Sequence, residues 1–541
     1  MEGEAQEYKA MEFKKEKEEE VPEPVSPTGQ YFNSSVLSIC ILAVLESEVP
    51  IDDSLTMTLL KDVLDKNGEN QWKQVEVKLK NHVNVPIFPN GLSPTSYDTY
   101  FNDYVSKVAL KPFPQSQPLW EIHIVKYHTS NAAGNVIFKL HHALGDGFSL
   151  MGALLSCLQR ADNPSLSLTF PSLQLPSKPE SLSTLSSNVP KGISSIMNTI
   201  SDFGWSLLKS SFVEDARSPI RSGDEGVQFK PIVISTTTFS LDRIKQIKSR
   251  LGVVKCFFHN YVLTSKRHPT ALTVQSTQTK EVRDPIPVFS TSFSSKGNCM
   301  HLADLYNVKT KLGGAISAAG LVVSLTINDV ITGIIFYGTR LYMQTVDDKS
   351  TNAHSTALVL LNTRSIGGYK SVKEMVKPDA ESPWGNQFGF LHVSVPELND
   401  SKVSKPLEFV AKAQEIIQRK RSSLAVNLTG RLLEVLRKFR GPEATARHIR
   451  KTLFNSSMTI SNIIGPVEQM ALANHPIKGL YFMVVGVPQS LTITMVSYTG
   501  KLTLAMGTEK GFLDPHKFKS CIETAFEMIS KSASEKSPGT N

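Results

Sequence analysis

The adjacent histidines His141 and His142, followed by an Asp146–Gly147 turn, are the residues of this chain best suited to moving a proton. A neutral imidazole accepts a proton from an alcohol near pH 7 more readily than other side chains. Upstream, Val136, Phe138 and Leu140 alternate with Ile137 and Lys139, which predicts a strand. Successive strand side chains point to opposite faces, so only one imidazole can face a reaction channel while the other packs behind it. Gly145 and Gly147 permit a tight turn. Asp146 suits ordering of that turn through backbone or Arg contacts. Phe148, Met151, Leu154, Leu155 and Leu158 then recur at helical spacing. A merely structural histidine pair is one competing reading. A metal site is another, but strand neighbours diverge and no Cys or carboxylate cluster at ligand spacing accompanies them.

The stretch from His141 to Gly147 has the form HHxxxDG and resembles the signature of the CoA-dependent acyltransferases. Further segments narrow the resemblance: Pro118-Leu119-Trp120-Glu121, Asn328-Asp329-Val330, Leu361-Asn362-Thr363-Arg364, Gly385-Asn386, and Ser461-Asn462-Ile463-Ile464-Gly465-Pro466. In this order they resemble the wax ester synthase/diacylglycerol acyltransferase family, in particular its plant branch. The resemblance implies an α/β fold of two chloramphenicol-acetyltransferase-like lobes with the active-site channel between them. It implies His142 as catalytic base, His141 as its support, Asp146 as a structural loop residue and Gly147 as the turn. Asn328, Ser461 and Asn462 become channel or oxyanion candidates. No bound cofactor or metal is implied; acyl-CoA is a co-substrate, and the second substrate is a long-chain fatty alcohol or diacylglycerol. Asp202-Phe203-Gly204-Trp205 looks like part of a DFGWG motif from another acyltransferase family, but it lies too soon after the histidines and reads as a chance match in a helix or linker.

The elements that must position these residues read as two lobes. The expected division is a disordered acidic tail over 1–23, a first lobe over 24–162, a linker and crossover helix over 163–228, a second lobe over 229–531 and a disordered tail over 532–541. Strands are predicted near Ile232–Phe239, Ala357–Asn362, Phe388–Val395 and Leu491–Tyr498, and the crossover helix over Ile193–Phe212. Between the helical pattern ending at Gly252 and Thr326 stands an irregular, Ser-, Thr- and Lys-rich insert, 253–325. It reads as translated intron or gene-model sequence that supplies no catalytic group. Near Leu60–Leu64 a strand-bearing segment of the relatives is missing. Both departures leave a catalytically impaired lipid-binding relative as an alternative, beside an acyltransferase acting on a small hydroxylated metabolite.

Composition fits a large enzyme. The 541 residues suggest at least two domains, and five scattered cysteines suggest free thiols in a reducing compartment. The acidic N-terminus lacks the apolar core of a secretory signal. The net charge of +8 is uneven: residues 412–451 hold eleven Lys and Arg against three Glu. Within them Leu432, Leu433, Val435, Leu436 and Phe439 predict a basic amphipathic helix, suited either to an anionic membrane surface or to a solvated domain face. No nucleic-acid motif accompanies the charge. Ala315–Gly338 is apolar enough to suggest a membrane helix, but Asn328-Asp329 in its middle favours a core helix. Lipid substrates make the expected site of action the cytosolic face of the endoplasmic reticulum membrane, peripheral or shallowly anchored, or else the plasma membrane. Oligomeric state is not legible.

Overall fold

The computed structural model describes residues 27–52, 79–114, 117–170, 189–251, 325–364, 369–370, 372–377, 379–380, 382–398 and 405–535. The expected acidic tail, the insert up to residue 324 and the shortened segment near Leu60 lie outside the described residues. Leu325, expected as the last insert residue, is described and buried among the helices of the second lobe.

Two sheets organise the chain. The first has seven strands in the order β2 (Val83–Asn84), β3 (Trp120–Val125), β4 (Gly134–His141), β1 (Cys40–Ser47), β11 (His475–Val485), β10 (Met470–Leu472) and β5 (Gln159–Arg160). The second has six, in the order β6 (Ile232–Ser240), β13 (Lys501–Glu509), β12 (Leu491–Tyr498), β9 (Met458–Ile464), β7 (Thr356–Asn362) and β8 (Phe388–Ser394). All four strands expected in the second lobe are present. The expected lobe boundary follows the chain, whereas the sheets do not. β1 offers two edges; β4 pairs with one and β11, from the far end of the chain, pairs antiparallel with the other. The first lobe is therefore completed by residues 470–485.

β1 and β4 are near-continuous apolar runs whose successive side chains point to opposite faces, so this sheet is buried on both faces. Ile41, Leu45, Val136 and Phe138 pack with Leu150, Met151 and Leu154 of helix α3 (Gly147–Ser156). Leu42, Val44 and Ile137 pack instead with Tyr97, Phe101 and Val105 of α2 (Pro94–Leu110). A short helix, α1 (Pro27–Phe32), precedes the sheet.

The crossover helix α4 (Val189–Ser211) and a helix over 241–251, α5, lead to the second lobe. There α6 (Ile327–Val346) packs between α7 (Pro406–Ser422) and α9 (Pro515–Glu535) on one face of the sheet. No helix among the described residues is long and apolar enough to cross a membrane. The acidic residue in the apolar run is explained by capping. Asp329 Oδ2 accepts from Thr326 N–H at 2.8 Å, and Thr326 Oγ1 accepts from Asp329 N–H at 3.2 Å. Gly333 and Gly338 let α7 and α9 approach: a methyl group there would stand 2.7 Å from Val410 Cα and 2.9 Å from Ile522 Cα. α9 continues to Glu535, four residues into the stretch expected as a disordered tail.

The basic segment forms the end of α7 and a long helix, α8 (Ala425–Phe454), broken at Gly441–Pro442, where Gly441 takes φ 82° and Pro442 has no N–H to donate. Asp202 of the DFGW stretch lies on α4, buried against Arg419 and Lys420.

Candidate active site

β4 ends at His141, and the chain turns through residues 142–146 into α3. Asp146 is the N-cap of that helix: its Oδ1 accepts from Ser149 N–H at 3.0 Å. Its Oδ2 accepts from Gln387 N–H at 2.8 Å and from Arg364 Nη1, a buried ion pair between the lobes. Arg364 also donates to Gly385 O at 2.6 Å and to Ser149 Oγ at 3.1 Å, and lies over the Phe148 ring. Trp384 Nε1 donates to Leu144 O at 2.7 Å. The histidine loop is thus clamped by β7, β8 and their connection. A methyl group on Gly147 would meet Ile463 Cδ1 of β9 at 2.6 Å, so this turn admits only glycine without displacement of that side chain.

The two imidazoles diverge. His141 lies on the α2 face of the sheet: its Nδ1 accepts from Ala143 N–H at 3.1 Å, which leaves the Nε2 proton to be donated to Ser38 Oγ at 3.1 Å. Burial, with the neighbouring His142 and Lys139, lowers its pKa to about 4. His142 turns the other way, its ring 4.8 Å from Phe32 and 5.4 Å from Phe388, centroid to centroid. Asn386 Nδ2 donates to His142 O at 2.9 Å, which fixes the amide orientation. Asn386 Oδ1 is then the acceptor, at 2.9 Å, of the His142 Nδ1 proton. That tautomer puts the lone pair on Nε2, which no group among the described residues occupies by hydrogen bonding. Burial lowers the His142 pKa, opposed by Asp146 and by the Asn386 bond, so the ring is neutral and base-ready near pH 7.

Asn328 and Asn462 are brought together: Asn462 Nδ2 donates to Asn328 Oδ1 at 2.6 Å, at the mouth of α6. Asn328 keeps its own amide N–H groups as donors. Ser461 lies on the opposite face of β9 from Asn462, on the side of Ile463. The three candidates do not converge on one point. Sequence reasoning gave no role to Phe32, Ser38, Asn386 or Phe388. Asn386 stood within a family motif, and Asp146 followed by a helical run is an N-cap signal, but a polar contact 244 residues apart leaves no local trace.

Behind β4 lies a second polar group. Lys139 is buried, donates to Lys111 O and sits over the Phe113 ring, 4.4 Å from its centroid. Glu121, of the PLWE stretch, stands 3.4 Å from His123 Nε2 and accepts from Lys111 Nζ at 3.4 Å; with His123 as the largest influence, its carboxyl pKa is lowered to about 2. This cluster braces the strand that carries the histidines.

Two family models match the chain: the wax ester synthase/diacylglycerol acyltransferase catalytic domain over 56–254 and the WS/DGAT C-terminal domain over 384–530. Wax ester synthase/diacylglycerol acyltransferase 4 of Arabidopsis thaliana is 25% identical over 95% of this chain and 90% of its own length. The Arabidopsis protein numbered 8 is 26% identical over 94% and 96%. Among solved structures, the wax ester synthase/diacylglycerol acyltransferase from Marinobacter aquaeolei VT8 matches with a TM-score of 0.50 at 14% identity, covering 94% of this chain and all of that one.

Proposed function

Since this chain belongs to the wax ester synthase/diacylglycerol acyltransferase family and is an O-acyltransferase, we propose that it transfers a long-chain acyl group from acyl-CoA to a fatty alcohol, with diacylglycerol as second acceptor. The observation that carries this reading is the His142 imidazole, its Nδ1–H held by Asn386 and its Nε2 lone pair bare, set against the stacked rings of Phe32 and Phe388. An apolar aromatic wall suits an alkyl chain better than a polyhydroxylated metabolite.

In this mechanism the acceptor hydroxyl donates to His142 Nε2 and its oxygen attacks the thioester carbonyl as the proton passes to the imidazole. General-base catalysis of this kind supplies about 10²–10⁴-fold. The tetrahedral oxyanion needs a fixed donor. Asn328 is assigned that role by its place in the family motif alone; its side chain is exposed and its carbonyl accepts from Asn462 Nδ2. The C–S bond then breaks, and His142 returns the proton to the CoA thiolate. Both substrates meet at one imidazole, so no acyl-enzyme forms. His141 supports the strand end through Ser38, and Asp146 and Gly147 shape the loop.

His142→Ala abolishes ester formation from palmitoyl-CoA and hexadecanol while circular dichroism stays native; near-normal turnover would refute the assignment. A panel of hexadecanol, diacylglycerol and a small phenolic alcohol with labelled acyl-CoA measures acceptor choice, with hexadecanol expected to lead. The reading also places the enzyme peripherally on the cytosolic face of the endoplasmic reticulum membrane, where such substrates reside. Fractionation showing exclusive recovery with the plasma membrane or in the soluble fraction would overturn that placement.

A further inference from the structure

Helix α4 has its polarity inverted. Its buried side carries Thr199, Asp202, Ser206 and Lys209. These are held by Asp215 on Lys209 at 2.5 Å, by Arg419 and Lys420 on Asp202 and by His392 on Ser206 at 3.1 Å. Among its described side chains, Met197 and Ile200 face outward at 63% and 62% exposed, Leu207 and Leu208 are partly exposed on the same side, and Phe212, just past the helix, is 80% exposed. A surface helix normally buries its apolar stripe and wets its polar one. Here the ion pairs anchor the polar stripe, and the apolar stripe is left for another partner.

The first half of α8 lies against α4, with Leu424 N–H donating to Thr199 Oγ1 at 3.2 Å. At about 100° per residue, Leu428, Val435 and Phe439 fall on one narrow stripe. Val435 is 50% and Phe439 81% exposed. Arg431 and Lys438 follow that stripe along one side, Lys438 also pairing with Glu434 at 3.4 Å, and Arg440 lies about a third of a turn away at the end of the segment; all three are exposed. Over residues 419–440 there are seven Lys and Arg and a single Glu. Exposed aromatic and aliphatic side chains rimmed by cations are the chemistry of an interfacial helix on anionic lipid. The opposite side of α8 packs Leu433 into the cluster of Phe32, Phe388 and Phe390, two of which flank the His142 ring.

We infer that α4 and the first half of α8 form a docking face for an anionic bilayer, one side-chain layer from the catalytic imidazole. The inference rests on the proposed function only in taking a membrane as the place of work, and turnover is measured separately with detergent-dispersed substrates. The test is flotation of the full-length protein with vesicles of phosphatidylcholine alone or mixed with phosphatidylserine. The wild type is expected to partition at least tenfold more strongly onto the anionic vesicles. Replacing Met197, Ile200 and Phe439 together by Ser is expected to lower partitioning more than tenfold on both. Replacing Arg431, Lys438 and Arg440 together by Gln is expected to remove the anionic preference, by about fivefold per charge. Neither variant should change turnover in detergent. Equal partitioning of wild type and the Ser variant would overturn the inference. So would a Ser variant that melts earlier or converts a dimer to a monomer in sedimentation, since the stripe would then be covered by the chain itself or by a second copy.

Discussion

Replacing Arg364 by Met tests the clamp that holds the histidine loop. The Arg364 guanidinium is fully buried and Asp146 is nearly so, and the substitution leaves the carboxylate with only two backbone N–H partners, those of Ser149 and Gln387. Removing one partner of a buried ion pair costs about 3–5 kcal/mol, because the remaining charge is uncompensated. The bonds to Gly385 O and Ser149 Oγ go with it, at about 0.5–1.5 kcal/mol each. Asp146→Asn alone strands the guanidinium but keeps an acceptor for the helix cap. Combining the two removes both charges, so the double variant should be more stable than the sum of the single losses predicts, by about 2–3 kcal/mol. Urea melts of the four proteins measure this coupling, and kcat/KM measured in parallel should fall most in Arg364→Met. Additivity within about 0.5 kcal/mol would show that the pair does not hold the loop and would refute the reasoning.

Three other outcomes follow from the same geometry. Asn386→Asp keeps an acceptor at His142 Nδ1 but adds negative charge, so the His142 pKa rises and the acid limb of the kcat/KM profile moves to higher pH. Asn386→Leu, with no acceptor, should lower kcat/KM, and overlapping profiles for wild type and Asp would count against the tautomer argument. Gly147→Ala pushes a methyl group into Ile463 Cδ1 and should cost about 1–3 kcal/mol, with loss of turnover. Ile463→Ala in the same chain should restore part of both, as read from melting and activity. Glu46 on β1 is raised to about 7 by burial, so its contribution to stability is fully present below the ordinary carboxylate range and is lost as pH rises through about 7. Glu46→Gln should therefore raise Tm near pH 8 and leave it nearly unchanged near pH 4; an equal shift at both would exclude the linkage.

Local pattern carried much of the fold. The alternation of Val136, Phe138 and Leu140 marked β4, and four strands of the second sheet were legible to within a few residues. The acidic residue in the apolar run Ala315–Gly338 was legible as incompatible with lipid, and its actual role, a capping box with Thr326, is itself a short-range signal. The divergence of His141 and His142 was expected from strand alternation, but β4 stops at His141 and the turn that follows, held by Asn386 on His142, sets the second ring. What escaped were pairings set by the closed fold. Asn386 meets His142, and Arg364 meets Asp146, only because β7 and β8 are brought onto the end of β4. Phe32 reaches the imidazole from a six-residue helix with no periodicity long enough to read. The basic helix was legible, but the inverted polarity of α4 was not, since composition does not say which stripe the ion pairs of Asp202 and Lys209 will hold.

The insertion of β11 beside β1 also dictates the order in which the enzyme comes into being. During synthesis the ribosome delivers β1, β4 and the histidine loop early, at about 5–20 residues per second. Yet one edge of β1 has no partner until His475–Val485 emerges, and the loop lacks Arg364 and Asn386 until most of the chain is made. The nascent first lobe therefore carries an open, apolar strand edge and an unclamped histidine through hundreds of codons. Such an edge is the kind that invites mispairing and chaperone capture. Closure of the sheet and clamping of the histidine loop both wait for late-made segments, so a transcript truncated before codon 364 yields a chain with every residue of the HHxxxDG stretch and neither Arg364 nor Asn386 to hold it.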